Sequence, residues 1–442
     1  MKSHALSAGE LPGRTRTAAA RPPLYPWVVF ALTFGLLLSD YMSRQVLNAV
    51  FPFLKAEWAL SDSQLASLTS VVALTVGVLT FPLAILADRW GRVRSLVLMA
   101  AIWSAATLAC AVAADYGQLL AARFLVGAGE AAYGSVGIAV VLSVFAPHVR
   151  ATFGGAFMAG GSFGSTIGIA LGGIIAVQFG WRWALASMAA VGLVLVVVFR
   201  LTVTQRRVDR YRCEDAGTAV EESEADAARR VPLSSLFSNT SVLCVYLGSG
   251  LQMFVAAVLL AWTPSYLNRY HAMSPDTAGM VSAVVVLLIG AGMIACGAIT
   301  DRISRQRPER KWTTAVCCST ASAVLLAIGF QLPESGLQLV VIGCGAFFSA
   351  GASGPATAMV AELTHPSLRA SGFGALTLAN SLLGLAAGPF AVGVLADSAG
   401  LLTALRIAPL VHVGAVAALL IGKRCLPAGL RRPAALNDRA SA

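Results

Sequence analysis

The sequence predicts an all-α membrane protein, with twelve transmembrane helices in two six-helix bundles related by pseudo-two-fold symmetry and both termini cytoplasmic. Three observations carry that prediction. The 442 residues are 57% apolar and only 12% charged, with a mean hydropathy of +0.75, whereas soluble domains run near 25% charged. The apolar residues fall into twelve runs, each close to the ~20 residues that cross a bilayer as one helix. Landmarks in the first half of the chain recur in the second. Together these exclude an ordinary cytosolic enzyme and a disordered or collagen-like chain.

The elements follow in order. Residues 1–26 are polar, include Arg14, Arg16 and Arg21, and read as a cytoplasmic tail. The first apolar run is long enough to span, so no cleavable leader is expected. The N-terminal bundle, 27–203, holds spans near 27–52, 65–87, 95–114, 118–144, 152–177 and 182–203. Residues 204–238 form a solvated linker in which Arg206, Arg207, Arg210 and Arg212 precede Glu221, Glu222, Glu224 and Asp226. The C-terminal bundle, 239–424, holds spans near 239–265, 278–300, 312–331, 337–361, 371–395 and 402–422, and 425–442 is a second cytoplasmic tail.

Charge fixes the orientation. The net charge of +11 is a topology signal, because 26 of the 32 Lys and Arg fall on the side of the termini. Lys55, Arg182 and Arg269 fall on the other side, and Arg44, Arg123 and Arg406 lie inside spans. Little positive charge is left over for a nucleic-acid partner. Of eight cysteines, Cys110, Cys244, Cys296, Cys317, Cys318 and Cys344 sit in spans, and Cys213 and Cys425 are cytoplasmic. That distribution predicts no disulfide framework, and no CxxC or His/Cys cluster suggests a metal. No cofactor is implied.

The internal repeat is explicit. Ala84-Ile-Leu-Ala-Asp88-Arg89-Trp-Gly-Arg92 follows the second span, and Gly297-Ala-Ile-Thr-Asp301-Arg302-Ile-Ser-Arg305 follows the eighth, 213 residues later. Pro147, Arg150 and Gly155 recur as Pro366, Arg369 and Gly374, 219 residues later. Transporters built from such halves place substrate near the midplane between them.

The 84–92 segment resembles the loop signature of the major facilitator superfamily, with Ala84 in place of its leading glycine, and the resemblance covers essentially the whole chain. Arg123-Phe-Leu-Val-Gly127-Ala-Gly129-Glu130-Ala131 resembles a run of Spinster-like transporters. Gly180-Trp181-Arg182 and Trp262-Thr-Pro264-Ser-Tyr266 are similar to elements of anion:cation symporters. One departure concerns span 1, where Ser43-Arg44 stands in place of those families' Asp-Arg and the acid lies one turn earlier at Asp40. The resemblance implies the major facilitator fold. It also implies that Asp88, Arg89 and Arg92, with Asp301, Arg302 and Arg305, form a cytoplasmic gate. There Asp can accept helix N-terminal amides and Arg can bridge to a neighbouring helix.

Intramembrane charges point to the chemistry, because a charge at a helix centre costs at least ~2.5–3.5 kcal/mol. Span 1 carries Asp40, Arg44 and Asn48 at i, i+4 and i+8, a single polar stripe. Span 4 carries Arg123 and Glu130 on one face, about 10 Å apart along the axis. Counting depth puts Asp40 and Glu130 near the midplane, Arg44 further out and Arg123 further still. Arg44 is then the expected partner of Glu130 or Asp40. An anion taking Arg44 or Arg123 would free Glu130 to bind a proton. Asp40 and Glu130 are thus the candidate proton carriers.

Arg44, Arg123, Asn48, Gln252, Trp262, Tyr266 and Asn380 are the candidate substrate contacts, with Ser353 a further mid-depth polar group. The second half has no counterpart of Arg123 or Glu130, so ion coupling is expected in the first half and substrate-shape contacts in the second. Span 5 presents Gly160, Gly164, Gly168 and Gly172 as a close-packing ridge, echoed in span 11 by Gly384 and Gly388-Pro389. Span 5 lacks the Gly-Pro pair that resembles the drug-antiporter signature. His412 reads as a satisfied packing residue. Asp397 and Arg406 are expected to snorkel to the interface.

The leading functional expectation is a secondary transporter in a bacterial inner (plasma) membrane, monomeric in the bilayer, that couples proton entry to uptake of a small organic anion, a carboxylate above all. The alternatives are a Spinster-like exporter of a lysolipid or other amphipathic substrate, and a receptor or scaffold that transports nothing. An enzyme is not expected, since no HExxH, nucleophile elbow or phosphate loop occurs.

Overall fold

The computed structural model describes residues 24–145, 150–208, 239–304, 307, 309–364 and 369–441. Among them twelve helices are long and apolar enough to span a membrane. They are α1 (Leu24–Trp58), α2 (Asp62–Ala87), α3 (Arg92–Val112), α4 (Tyr116–Val144), α5 (Gly160–Phe179) and α6 (Trp181–Thr202), then α7 (Thr240–Tyr270), α8 (Pro275–Ser304), α9 (Arg310–Gly329), α10 (Gly336–Leu363), α11 (Ser371–Ala399) and α12 (Leu401–Leu426). The protein is an integral, multi-pass membrane protein. Twelve alternating spans put residues 24 and 426 on one face, called here the terminal face; the other is the distal face.

The helices outrun the apolar segments that announce them. At 1.5 Å per residue, the 35 residues of α1 make a rod of about 52 Å, longer than the ~30 Å hydrocarbon layer. Hydropathy reports the slab, and the helix continues beyond it under its own hydrogen bonds.

Packing divides the helices into two equivalent halves. Within the first, α5 lies along α1 so closely that a Cβ at Gly168 would stand 2.7 Å from the Met42 main chain. Within the second, α11 lies along α7 in the same manner, and a Cβ at Gly388 would stand 2.6 Å from the Phe254 carbonyl. The turns into α6 and α12 match as well. Gly180 and Gly400 adopt φ of 91° and 84°, a left-handed conformation that glycine enters without a Cβ penalty. Between the halves, α5 meets α8 and α2 meets α11, a reciprocal pair of seams.

Both fourth helices are broken. α4 is interrupted after Glu130 and resumes at Tyr133; α10 is interrupted after Ser349 and resumes at Ser353. Each break frees backbone groups that need partners. Thr80 Oγ1 donates to the Ala131 carbonyl at 2.6 Å in the first. In the second, Gln252 does both jobs, donating to the Phe348 carbonyl at 3.4 Å and accepting from the Ala352 amide at 2.9 Å. α11 carries a π-helical segment, Asn380–Ala386.

Charged groups join the halves on the distal face. The Asp62 carboxylate, buried at the start of α2, accepts a bidentate pair from Arg269 of α7 at 2.8 and 2.7 Å, and a third bond from Lys55 at 2.6 Å. Asp397, at the end of α11, accepts from the Asp62 and Ser63 amides at 2.6 and 2.9 Å, capping the N-terminus of α2. Asp397 is therefore a cross-half contact. Arg406 likewise does more than snorkel, since it donates to the Phe330 carbonyl at 2.9 Å. His412 is fully buried, and neither ring nitrogen has a hydrogen-bond partner; it packs without being satisfied.

Candidate functional site

The charged site forms where α1 crosses the break in α4. On α1, residues four apart share a face, which aims Asp40, Arg44 and Asn48 the same way. On α4, Glu130 is the last residue before the break, and its side chain is fully enclosed. Arg44 donates to Glu130 Oε2 through Nε at 3.0 Å and through Nη2. The Arg44 side chain stays 18% exposed, so the same guanidinium touches both the buried acid and open space. Tyr41 places its ring 5.5 Å from that guanidinium.

Asp40 lies beside Glu130 and within the field of Arg44 and Arg123. One oxygen of each carboxyl group, Asp40 Oδ1 and Glu130 Oε1, is buried with no hydrogen-bond partner among the described residues. Two acids and two arginines bring the cluster to formal neutrality, which makes it tolerable away from water.

Arg123 is placed differently from Arg44. It is fully buried and donates to three main-chain carbonyls: Leu68 at 3.1 Å, Ser43 at 3.4 Å and Arg44 at 3.5 Å. It braces α4 against α1 and α2 behind the charged stripe, and it does not line the cavity.

That cavity, about 300 Å³, lies between the halves at mid-depth. The first half contributes Tyr41, Arg44, Gln45, Asn48, Thr69, Ser162 and Ser165. The second contributes Met253, Ala256, Ala257, Leu260, Val286 and Ile289 among others, none of them polar. On the distal side the contact of Phe51 with Trp262, ring centroids 5.8 Å apart, joins α1 to α7. Asn48 also bridges the halves, donating to Gln45 at 2.6 Å and to the Leu260 carbonyl at 3.2 Å.

Of the polar residues expected to touch substrate, Arg44 and Asn48 line the cavity and the four from the second half do not. Gln252 is consumed by the α10 break. Trp262 donates to the Pro389 carbonyl at 3.1 Å and is fully buried. Tyr266 packs on Phe330 near the distal face, in a separate small apolar pocket. Asn380 accepts from Ser249 at 2.9 Å. Gln252, Trp262 and Asn380 are bonded to neighbouring helices, and Tyr266 packs on an aromatic ring. The apolar cavity wall escaped sequence reasoning because Met253, Ala257 and Ile289 carry no signal that separates them from lipid-facing residues.

Of the gate residues, Arg89, Asp301 and Arg302 are exposed on the terminal face and Arg92 is half-buried. The side chain of Asp88 and all of Arg305 lie outside the described residues, as do the second repeat landmarks Pro147 and Pro366 and most of the linker. The amide of Val93, at the start of α3, is capped by Gln205 at 3.0 Å. Gly180-Trp181-Arg182 stitches α6 to α1, for Trp181 and Arg182 both donate to Glu57, at 2.6 and 2.8 Å.

Two six-helix halves meeting around a mid-depth cavity, with a neutralised charge cluster beside one wall, are the architecture of a membrane transporter. The profile of the Major Facilitator Superfamily matches residues 33–389 and 271–439, and the chain belongs to that superfamily. It is 23% identical to a hexuronate transporter of Bacillus subtilis over 73% of this chain and 76% of that protein. It is 24% identical to a sphingosine-1-phosphate transporter of Danio rerio over 83% of this chain and 75% of that protein. Its fold resembles a bacterial homologue of the human lysosomal transporter Spinster, solved facing inward and unoccupied, with a TM-score of 0.78, 18% identity, and coverage of 92% of this chain and 98% of that one.

Proposed function

We propose that this transporter carries a small organic anion together with a proton, by alternating access of the cavity to the two faces. The observation that carries the reading is the double engagement of Arg44, bonded to buried Glu130 on one side and open to the cavity on the other. A carboxylate entering the cavity can take the free edge of that guanidinium and draw it from Glu130. Glu130, now without its cation in a dry site beside Asp40, takes up a proton, and the two carboxyl groups can hold it between them. Anion and proton together add no net charge, so the loaded site crosses the membrane neutral. Loss of the proton on the other side restores the Arg44–Glu130 pair and displaces the anion.

The excess of Lys and Arg on the terminal face supports a cytoplasmic location for both termini. The proposal takes the protein as a monomer in a bacterial plasma membrane working as an importer. The test is transport by the reconstituted protein in proteoliposomes. An inward proton gradient is expected to drive accumulation of an organic acid by the wild type. Glu130→Gln is expected to abolish that accumulation while sparing exchange between internal and external acid. Loss of both would make Glu130 structural, and flux that runs only outward with the anion would reverse the assignment to an exporter.

A further inference from the structure

The two walls of the cavity differ in kind, and that difference narrows the substrate. Resting on the reading of Arg44 as an anion contact, we infer that the transported anion is an amphipathic monocarboxylate: one carboxylate on a compact alicyclic, aromatic or alkyl body without hydroxyl groups or a second charge.

Every residue that the second half contributes to the cavity is apolar or glycine. The nearby polar side chains that could have turned inward are already engaged. Gln252 has both ends of its amide on the α10 break. Asn380 holds Ser249, Trp262 holds the Pro389 carbonyl, and Thr263 donates to the Leu259 carbonyl of its own helix.

On the first-half wall several polar groups are engaged as well. Gln45 accepts from Asn48, Thr69 donates to Ala66, and Ser165 donates to Gly161. The open polar groups, the Arg44 guanidinium, the neighbouring Tyr41, Ser162 and Asn48 Oδ1, all stand on the first-half wall. A ligand seated here meets a cation at one end and methyl, methylene and thioether groups at the other. At about 300 Å³ the cavity lies at the small end of ligand sites, so the apolar body is compact.

A hydroxyl on the part of that body facing the second half would leave water for a wall whose side chains offer no partner. Such a group loses roughly tenfold or more in affinity, and a second carboxylate loses more. Polyhydroxy acids and dicarboxylates are therefore expected to be rejected, although the same arginine could hold their carboxylates.

The full-length purified protein tests this with two probes that share a ring and a carboxylate, cyclohexanecarboxylate and its tetrahydroxy analogue quinate, with galacturonate as a third. Half-maximal thermal stabilisation, and competition for proton-driven uptake in proteoliposomes, are the readouts. Cyclohexanecarboxylate is expected to act at concentrations at least 100-fold below quinate or galacturonate. Ala257→Asn, which puts an amide on the apolar wall, is expected to narrow that ratio at least tenfold, while Ala257→Val leaves it wide. Equal or tighter action of quinate or galacturonate on the wild type overturns the inference and leaves anion transport standing. A ratio that Ala257→Asn does not change overturns it too. If no acid of either kind stabilises the protein or competes, the anion reading itself falls and takes this inference with it.

Discussion

Arg44 and Arg123 are separated by what their guanidinium groups touch. One ends on a carboxylate and a cavity; the other ends on three carbonyls. Substitution therefore has different consequences at the two sites. Arg44→Lys keeps the charge and loses the planar fork, so KM for the transported acid is expected to rise about tenfold with little change in melting temperature. Arg123→Lys leaves buried carbonyls short of donors, and each lost bond to a charged group is worth ~1.5–3 kcal/mol. Its melting temperature is expected to fall while KM in the surviving protein stays near that of the wild type. Measuring KM and Tm on both variants checks the distinction. The i, i+7 spacing of Arg123 and Glu130 was legible as a shared face. Which of them meets the cavity was not, because that depends on where α1 crosses α4, and spacing along one helix is silent about the depth of a crossing.

At the scale of the element, the informative features are interruptions. The breaks in α4 and α10 occur at equivalent places in the two halves, and each is held by a side chain from another helix. Gln252→Leu removes both side-chain bonds to the α10 break and leaves the buried Ala352 amide unpaired, while the Phe348 carbonyl keeps the Gly351 amide at 3.0 Å. The expected cost is about 1–3 kcal/mol, read as a lower melting temperature, with cavity affinity retained. A fall in affinity without a fall in stability would return Gln252 to the substrate site.

The twelve apolar runs were readable from composition alone, since bilayer thickness imposes a length on each. The breaks, the π-helical segment in α11 and the extension of α1 past the slab were not. The breaks depend on donors and acceptors supplied by other helices, 51 to 100 residues away. Gly351 and Pro355, around the α10 break, and Gly127 and Gly129, just ahead of the α4 break, were the visible hints.

For the molecule as a whole, the distal face is where charged side chains tie the two halves together. Arg269 and Asp397 both reach from the second half onto the first turn of α2. Combining Arg269→Ala with Asp397→Asn removes a bidentate ion pair and weakens the cap on α2. The expected outcome is a larger population with the distal ends apart. Spin labels at Trp183 and Leu337, both exposed near that face, would report it as a longer inter-label distance. An unchanged distribution would mean that the α5–α8 and α2–α11 seams hold the distal face shut by themselves.

The glycines of α5 carry one more consequence. One flank of that helix, at Gly164, Gly168 and Gly172, has no room for a methyl group against α1. The other flank meets α8 closely at its distal end, where a Cβ on Gly173 would stand 2.8 Å from the Pro275 carbonyl, and more loosely further along, where only the Ser162 side chain stands 3.0 Å from where a Cβ on Gly290 would lie. A single rod thus has a welded edge and an edge that is greased along part of its length. Gly168→Ala is expected to weaken the fold, whereas Gly290→Ala is expected to leave the fold standing and slow turnover, as grit slows a bearing. Because Arg44 rides on the welded side, its carboxylate chemistry is carried bodily through the stroke, and the second half slides past it like a piston past a fixed port.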